Sequence, residues 1–251
     1  MSAITLLKIG GAELQAGGPI ESLTAAAAPL ARERRLVIVH GGGSDIAALQ
    51  QRLGLTPRFV EGLRVTDDES LWAAEMVLSG SVNKRLVAHL VQARVRALGL
   101  SGVDAGLLYA TKMNHPAGDL GHVGEIQYVN VACLQDLLRL GFTPVVSPIS
   151  LGCDGRTFNV NADHAALAVA AALKVSEMIM LTNVPGVMLD GAVVVELRRA
   201  DAEAQIASGA ISGGMIPKVR SALEAVAAGV ERVRITDLAG LAAGSGTWVV
   251  G

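Results

Sequence analysis

Aromatic side chains are scarce in this 251-residue sequence: two tryptophans, two tyrosines and three phenylalanines, 3% of the chain. That scarcity argues against the stacking platforms on which single-stranded nucleic acids are read. The formal net charge is only −2, and the one basic cluster is Arg32-Glu33-Arg34-Arg35, so nucleic acid is not an expected partner. Cysteine is limited to Cys133 and Cys153, far apart and outside any CxxC pattern, which fits a reducing compartment rather than a disulfide scaffold. No apolar run approaches ~18 residues without a charge or a glycine, so no membrane span is expected. No basic stretch leading into an apolar run opens the chain, so no secretory signal is expected and the protein is placed in the cytoplasm. Neither a Walker A loop nor GxGxxG occurs, which removes the two commonest phosphate-binding patterns behind a glycine-rich turn. HExxH is also missing, and His115 and His122 lie in loop sequence without ligand spacing, so no metal site is expected.

Aliphatic residues and glycine, by contrast, are abundant. Apolar residues make up 51%, mean hydropathy is +0.45 and 29 residues are glycine. The length allows one large α/β domain or two lobes. Leu6-Leu7-Lys8-Ile9 reads as a strand carrying one lysine into Gly10-Gly11, either an ordinary turn or an anion site whose ligand receives the ammonium group. Leu36-Val37-Ile38-Val39 is a continuous apolar run of the kind covered on both faces, and it ends at His40-Gly41-Gly42-Gly43. Ser44 then opens a helix with Ile46, Leu49 and Leu53 at helical spacing. Strand, glycines and helix amino terminus together aim unsatisfied amides at an anion.

Further along, Thr66 and Glu69 form the pattern of a capping box for a helix running to about Ser79. Gly80 is expected to interrupt it, with Val82, Leu86, Leu90, Ala93 and Ala97 outlining a next helix that ends at Gly99. Arg64 could be a solvated loop arginine or a two-pronged carboxylate clamp. Residues 103–129 read as a pair of short hairpins, a possible substrate lid. Asn159, Asn161 and Asp163 alternate with apolar residues at the mouth of an alanine-rich helix, more polar groups than a single cap requires. Met178–Thr182 is a strand leading to the turn Asn183 to Val187, and Lys218 sits in the first turn of a helix, where the dipole disfavours a cation unless an anion binds. Alternating strands and helices predict an α/β fold, a three-layer α/β/α sandwich around a mainly parallel central sheet, with ligands beyond the strand carboxyl ends.

These motifs resemble the amino-acid kinase family along essentially the whole chain: Lys8-Ile-Gly-Gly, Val39-His-Gly-Gly-Gly, Gly62-Leu-Arg-Val-Thr, Gly80-Ser-Val-Asn-Lys, Gly121-His-Val-Gly-Glu, Asn159-Val-Asn-Ala-Asp163 and Gly213-Gly-Met-Ile-Pro-Lys218. The third and sixth are specific for its acylated-glutamate branch. The resemblance implies a carbamate-kinase-like fold and phosphorylation of the side-chain carboxylate of N-acetyl-L-glutamate by ATP, with Mg2+ carried on the ATP phosphates, for arginine biosynthesis. It implies Lys8 and Lys218 as catalytic cations oriented by Asp163. Gly10, Gly11 and Gly43 would offer amides to phosphoryl oxygens, Gly42 and Gly43 to the acceptor. Arg64 and Asn159, with Asn161 beside them, would hold the acylated amino acid. Asn183, Val184, Pro185, Gly186, Val187 and Met188, with Ala210, Ile211 and Ser212, correspond to nucleotide-binding loops. Residues 1–173 would form the substrate and dimerisation lobe of a homodimer, and 174–251 the ATP lobe. Only seven residues precede Lys8, short of the extra helix that arginine-inhibited members carry, so a dimer insensitive to arginine is expected. The nearest alternatives are a kinase for N-acetyl-aminoadipate or a carrier-linked acid in lysine biosynthesis, and a non-catalytic nucleotide-binding sensor or storage protein of the same fold.

Overall fold

The computed structural model describes residues 3–15 and 17–251. The chain opens with β1 (Ile4–Ile9), α1 (Ile20–Glu33), β2 (Arg35–His40) and α2 (Gly43–Arg52), then a two-residue hairpin of β3 (Phe59–Val60) and β4 (Leu63–Arg64). Next come α3 (Asp68–Glu75), a π-helical stretch Met76–Val82, α4 (Asn83–Gln92), β5 (Ala97–Ser101), β6 (Leu108–Lys112) and β7 (Gly124–Val129). α5 (Val131–Arg139), β8 (Thr143–Ser147), β9 (Ile149–Leu151), β10 (Thr157–Asn159) and α6 (Ala162–Leu173) complete the first two thirds. The remainder is β11 (Glu177–Leu181), the hairpin β12 (Met188–Leu189) and β13 (Ala192–Val193), β14 (Glu196–Arg198), α7 (Arg199–Ala207), α8 (Met215–Ala227), β15 (Val233–Thr236), α9 (Leu238–Ala243) and β16 (Thr247–Val250).

One eight-stranded sheet in the order β14-β16-β15-β11-β1-β2-β8-β5 runs through the molecule, parallel except where β15 meets β16. Alternation along its central strands divides the core into two layers. Leu6, Val37, Val39, Met178 and Met180 face α5, α6, α7 and α8, whereas Leu7, Ile9, Leu36, Ile38 and Ile179 face α1, α2, α4 and α9. This is the expected α/β/α sandwich. Lys8 lies two residues after Leu6, and so emerges on the α6 side of the sheet.

Several elements differ from the sequence expectation. α3, the π-helical stretch and α4 run on without a break at Gly80. Seven π-helical residues absorb the glycine, a wide-turn geometry that recurs near functional sites. The helix stops at Gln92, with Arg94 at φ +64° and Val95 N donating to Leu90 O, rather than at Gly99. Ala97–Ser101 is instead the edge strand β5, zipped to β8. The cap of α3 is Asp67, which accepts from Ser70 N at 2.9 Å, while Thr66 turns its hydroxyl to the Arg64 carbonyl. Residues 108–129 form one hairpin, not two, and β9 and β10 extend it to a second, four-stranded sheet. The β12–β13 hairpin, β14, α7 and α9 carry too few periodic apolar residues to be read from sequence.

Candidate active site

β1 and β2 deliver their glycine turns side by side at the carboxyl edge of the sheet, with Gly41 N donating to Ile9 O at 3.0 Å. Gly42 precedes the first turn of α2, and no side chain caps that helix, so its leading amides remain available to a ligand. The turns approach more closely than side chains would permit. A Cβ at Gly11 would lie 2.9 Å from Gly43 N and 3.2 Å from Gly42 N. From the other side, Leu78 and Val82 of the π-helical stretch press on Gly42, where a Cβ would meet Leu78 Cδ2 at 2.8 Å.

These glycines form one wall of a cavity of about 220 Å³ that Lys8, Arg64, Asn159, Asn161 and Asp163 also line. Lys8 Nζ lies 2.8 Å from Asp163 Oδ1, with the lysine side chain 13% exposed. The pair places the ammonium group beside the cavity that both residues line. Asn161 does both things its position allowed: its Oδ1 caps α6 through Asp163 N and His164 N, and the residue lines the cavity. Asn159 donates to Thr66 Oγ1 at 3.2 Å.

Arg64 is buried at the cavity wall rather than solvated. It is 9% exposed, its Nη2 donates to Gly43 O at 2.8 Å, its Nη1 donates to Gln50 Oε1, and its guanidinium lies over the Phe59 ring, 4.7 Å from the centroid. Burial pushes its pKa down from the ordinary arginine value, yet a guanidinium starts so high that it remains charged. Gln50 is held in turn by donating to Ser70 Oγ at 2.8 Å. Sequence reading missed Gln50 and Phe59; the available signal was a glutamine on the inner face of α2, beside Ile46.

The remaining predicted residues sit elsewhere. Lys218 is not in the cavity wall, and no ion pair joins it to Asp163 among the described residues. Its Nζ donates to Thr182 Oγ1 at 3.3 Å, just beyond β11, the strand beside β1. Asp163 thus contacts Lys8 in this structure, and Lys218 contacts Thr182. An adjoining cavity of about 330 Å³ runs from Asp163 and Asn161 to Pro217 and Ser221 at the start of α8. Of the nucleotide set, only Gly10 and Gly11 line the first cavity. Asn183 to Val187 form a turn stitched by Val184 N to Thr182 Oγ1 and Val187 N to Thr247 Oγ1. Within that turn Gly186 is irreplaceable, since a Cβ would lie 2.6 Å from Thr247 Oγ1. The side chains of Val187 and Ile211 are buried in the core, so those two residues can offer a ligand backbone only; Met188, Ala210 and Ser212 are exposed. Among the described residues no cluster of three or more His, Cys, Asp or Glu could hold a metal ion, and no helix is long and apolar enough to cross a membrane.

What joins these features is a floor of backbone amides beside one ammonium and one guanidinium group, suited to holding two anions at once. The sequence profile of the amino acid kinase family matches residues 3–237. The chain belongs to the amino acid kinase family. Among members of this family, the acetylglutamate kinase of Roseiflexus sp. (strain RS-1) is 55% identical over 239 residues, covering 94% of this chain and 89% of the relative. That of Methanopyrus kandleri is 47% identical over 221 residues, 85% of this chain and 90% of the relative. Of solved structures, smu.665 from Streptococcus mutans UA159 superposes with a TM-score of 0.81 at 31% identity, covering 100% of this chain and 99% of that one. Carbamate kinase from Giardia lamblia, at TM-score 0.74 and 14% identity over 99% of this chain and 98% of the other, shares the fold.

Proposed function

We propose that this family member transfers the γ-phosphoryl group of ATP to the side-chain carboxylate of N-acetyl-L-glutamate, giving N-acetyl-L-glutamyl 5-phosphate for arginine biosynthesis. The observation that carries the reading is that Lys8 and Arg64 line one amide-floored cavity. A dicarboxylate acceptor offers two anions: Arg64 takes the α-carboxylate in a forked contact, and the other carboxylate meets the phosphoryl group beside Lys8. An ionised carboxylate is already a competent nucleophile at neutral pH, so no general base is required. The work left to the protein is alignment and stabilisation of charge on the transferred group. Lys8, held by Asp163, and the amides of Gly10, Gly11 and Gly43 serve the acceptor side. Lys218 serves the ATP side after leaving Thr182. Mg2+ arrives on the ATP phosphates as part of that substrate.

We place acceptor binding in residues 1–173 and ATP binding in 174–251, in a cytoplasmic homodimer. A hydroxamate assay of acyl phosphate tests the reading, with ATP, Mg2+ and N-acetyl-L-glutamate run beside aspartate, glutamate and N-acetyl-aminoadipate. Acetylglutamate should give the highest kcat/KM. A preference for the longer acid would move the protein to the aminoadipate branch, since one methylene is worth only about 1–3 kcal/mol of discrimination. ATP binding with no hydroxamate from any acid would leave the non-catalytic alternative standing.

A further inference from the structure

His40 ends β2 with no exposed surface, inside the glycine turn but outside the cavity wall. Its Nδ1 lies 2.9 Å from the Gly41 carbonyl oxygen, and its Nε2 lies 3.0 Å from Asn83 Nδ2. Asn83, the first residue of α4, is equally buried. Its Nδ2 also donates to Val145 O at 2.9 Å, while its Oδ1 accepts from Lys84 Nζ at 3.1 Å. Asn83 Nδ2 has two hydrogens for three neighbouring acceptors, His40 Nε2, Val145 O and Leu100 O at 3.4 Å, whereas the Gly41 carbonyl oxygen facing Nδ1 can only accept. That leaves the imidazole proton on Nδ1, donating to Gly41 O. Gly99 on β5 completes the pocket: a Cβ there would lie 2.1 Å from Asn83 Oδ1.

The consequence falls on the next amide. In a planar trans peptide the Gly41 carbonyl and the Gly42 N–H point in opposite directions. Anchoring the carbonyl on the His40 ring therefore turns the Gly42 N–H the other way. The Gly42 nitrogen lies close to the Gly11 turn, 3.2 Å from where a Cβ on Gly11 would sit. We infer that His40 and Asn83 are positioning residues that aim the Gly42 amide at the anion held between the two glycine turns. This rests on the proposed phosphoryl transfer for its kinetic assay alone. Burial, reinforced by the nearby charge of Lys84, pushes the His40 pKa down to about 4, so the ring stays neutral at working pH. Lys84 is the charged group facing the ring, and Ile9 of β1 is paired with His40 on the neighbouring strand.

The test has a substrate-free half and a kinetic half. With the histidines 15N-labelled, His40 in the whole protein should show the Nδ1–H tautomer and no titration between pH 5.5 and 8. Inorganic phosphate should shift the Gly42 amide resonance in wild type, and less in His40→Leu. In steady-state kinetics, His40→Leu should lower kcat by about 10²-fold, the order seen on losing one well-aimed amide donor, with each KM changed less than about threefold. His40→Asn, which keeps a donor near the Nδ1 position, should recover about tenfold of that loss. Asn83→Asp should give the most specific response, because a carboxylate draws the ring proton to Nε2. At acid pH the ring carries both protons and Nδ1–H still holds Gly41. As pH rises through the raised His40 pKa, Nδ1 loses its proton and kcat should fall about tenfold or more. An Nε2–H tautomer in wild type, a pH-independent loss in Asn83→Asp equal to that of Asn83→Leu, or near-native kcat in His40→Leu would each overturn the inference. If wild type phosphorylates none of the four acids, the functional reading fails instead, and the tautomer and phosphate-shift results decide this one.

Discussion

Alanine at position 11 would bring a methyl group into the space between the two glycine turns. Gly11 has φ −71° and ψ −26°, a conformation open to any residue, so Gly11→Ala introduces no backbone strain and should still fold. The Cβ falls 2.9 Å from Gly43 N and 3.2 Å from Gly42 N. Those are hydrogen-bond lengths, so the methyl carbon occupies the position of an anion oxygen accepting from both amides. It also crowds them, because carbon–nitrogen contact distances are longer than these by several tenths of an ångström. The substitution thus displaces the ligand oxygen and pushes the turns apart. Losing one such donor costs about 10²–10³ in kcat, and two donors acting on the same oxygen do not add fully. We predict a kcat loss of at least about 10²-fold together with a lowered melting temperature, because both crowded atoms are backbone. The assay is hydroxamate formation at saturating ATP, with Gly80→Ala as comparator, since a Cβ at Gly80 would meet nothing within 4 Å. Gly11→Ala retaining a third or more of wild-type kcat would refute the anion-hole geometry.

Asp163→Asn leaves Lys8 without its carboxylate partner at 2.8 Å, and kcat should fall about 10²-fold with much smaller changes in substrate affinity. Arg64→Lys replaces a stacked fork with a point charge, so KM for the acylated amino acid should rise about tenfold or more in initial-rate measurements. Glu177, 1% exposed, takes Arg34 at 2.6 Å and Arg234 at 3.1 Å. Glu177→Gln should cost about 3–5 kcal/mol in urea unfolding, because the buried Arg234 guanidinium loses its countercharge, while Arg34 is exposed enough to be solvated. The buried, neutral His40 sets a pH dependence. The folded chain binds fewer protons than the unfolded chain between pH 6.5 and about 4, so its contribution is full above 6.5 and declines on acidification. That span corresponds to roughly 3 kcal/mol, and a urea series from pH 7 to pH 4 should decline less steeply in His40→Asn than in wild type.

Elements with strong periodicity are legible in the sequence, and so are the consecutive glycines that cost too much chain entropy for a plain turn. β2, β8 and β11 carry continuous apolar runs, and their two-sided burial is the reason. Boundaries that depend on competition between neighbours are not legible. Thr66 and Asp67 both suit a cap, and Thr66 is committed elsewhere by the Arg64 carbonyl and Asn159. Gly99 looks like a helix stop because nothing local reveals that Asn83, sixteen residues earlier, needs the space of its missing side chain. α7 and the β12–β13 hairpin are short and largely exposed, and their stability comes from the sheet they lie on.

By itself the sequence determined which groups could handle anions: Lys8 at the end of a strand, glycines where amides must be bare, Arg64 before a helix, and Asp163 inside the first turn of α6. Those are properties of residue type and immediate neighbours, and they hold before folding is complete. The tertiary structure decided which of those groups meet. It paired Asp163 with Lys8 and left Lys218 on Thr182, because β1 places Lys8 on the α6 face of the sheet while α8 begins beyond the neighbouring strand. It supplied Gln50 to hold Arg64 and Asn83 to hold His40, partners respectively 14 and 43 residues distant in the chain. A hydrogen bond between distant residues depends on where two backbones cross, and only the packed sheet and its helices settle that.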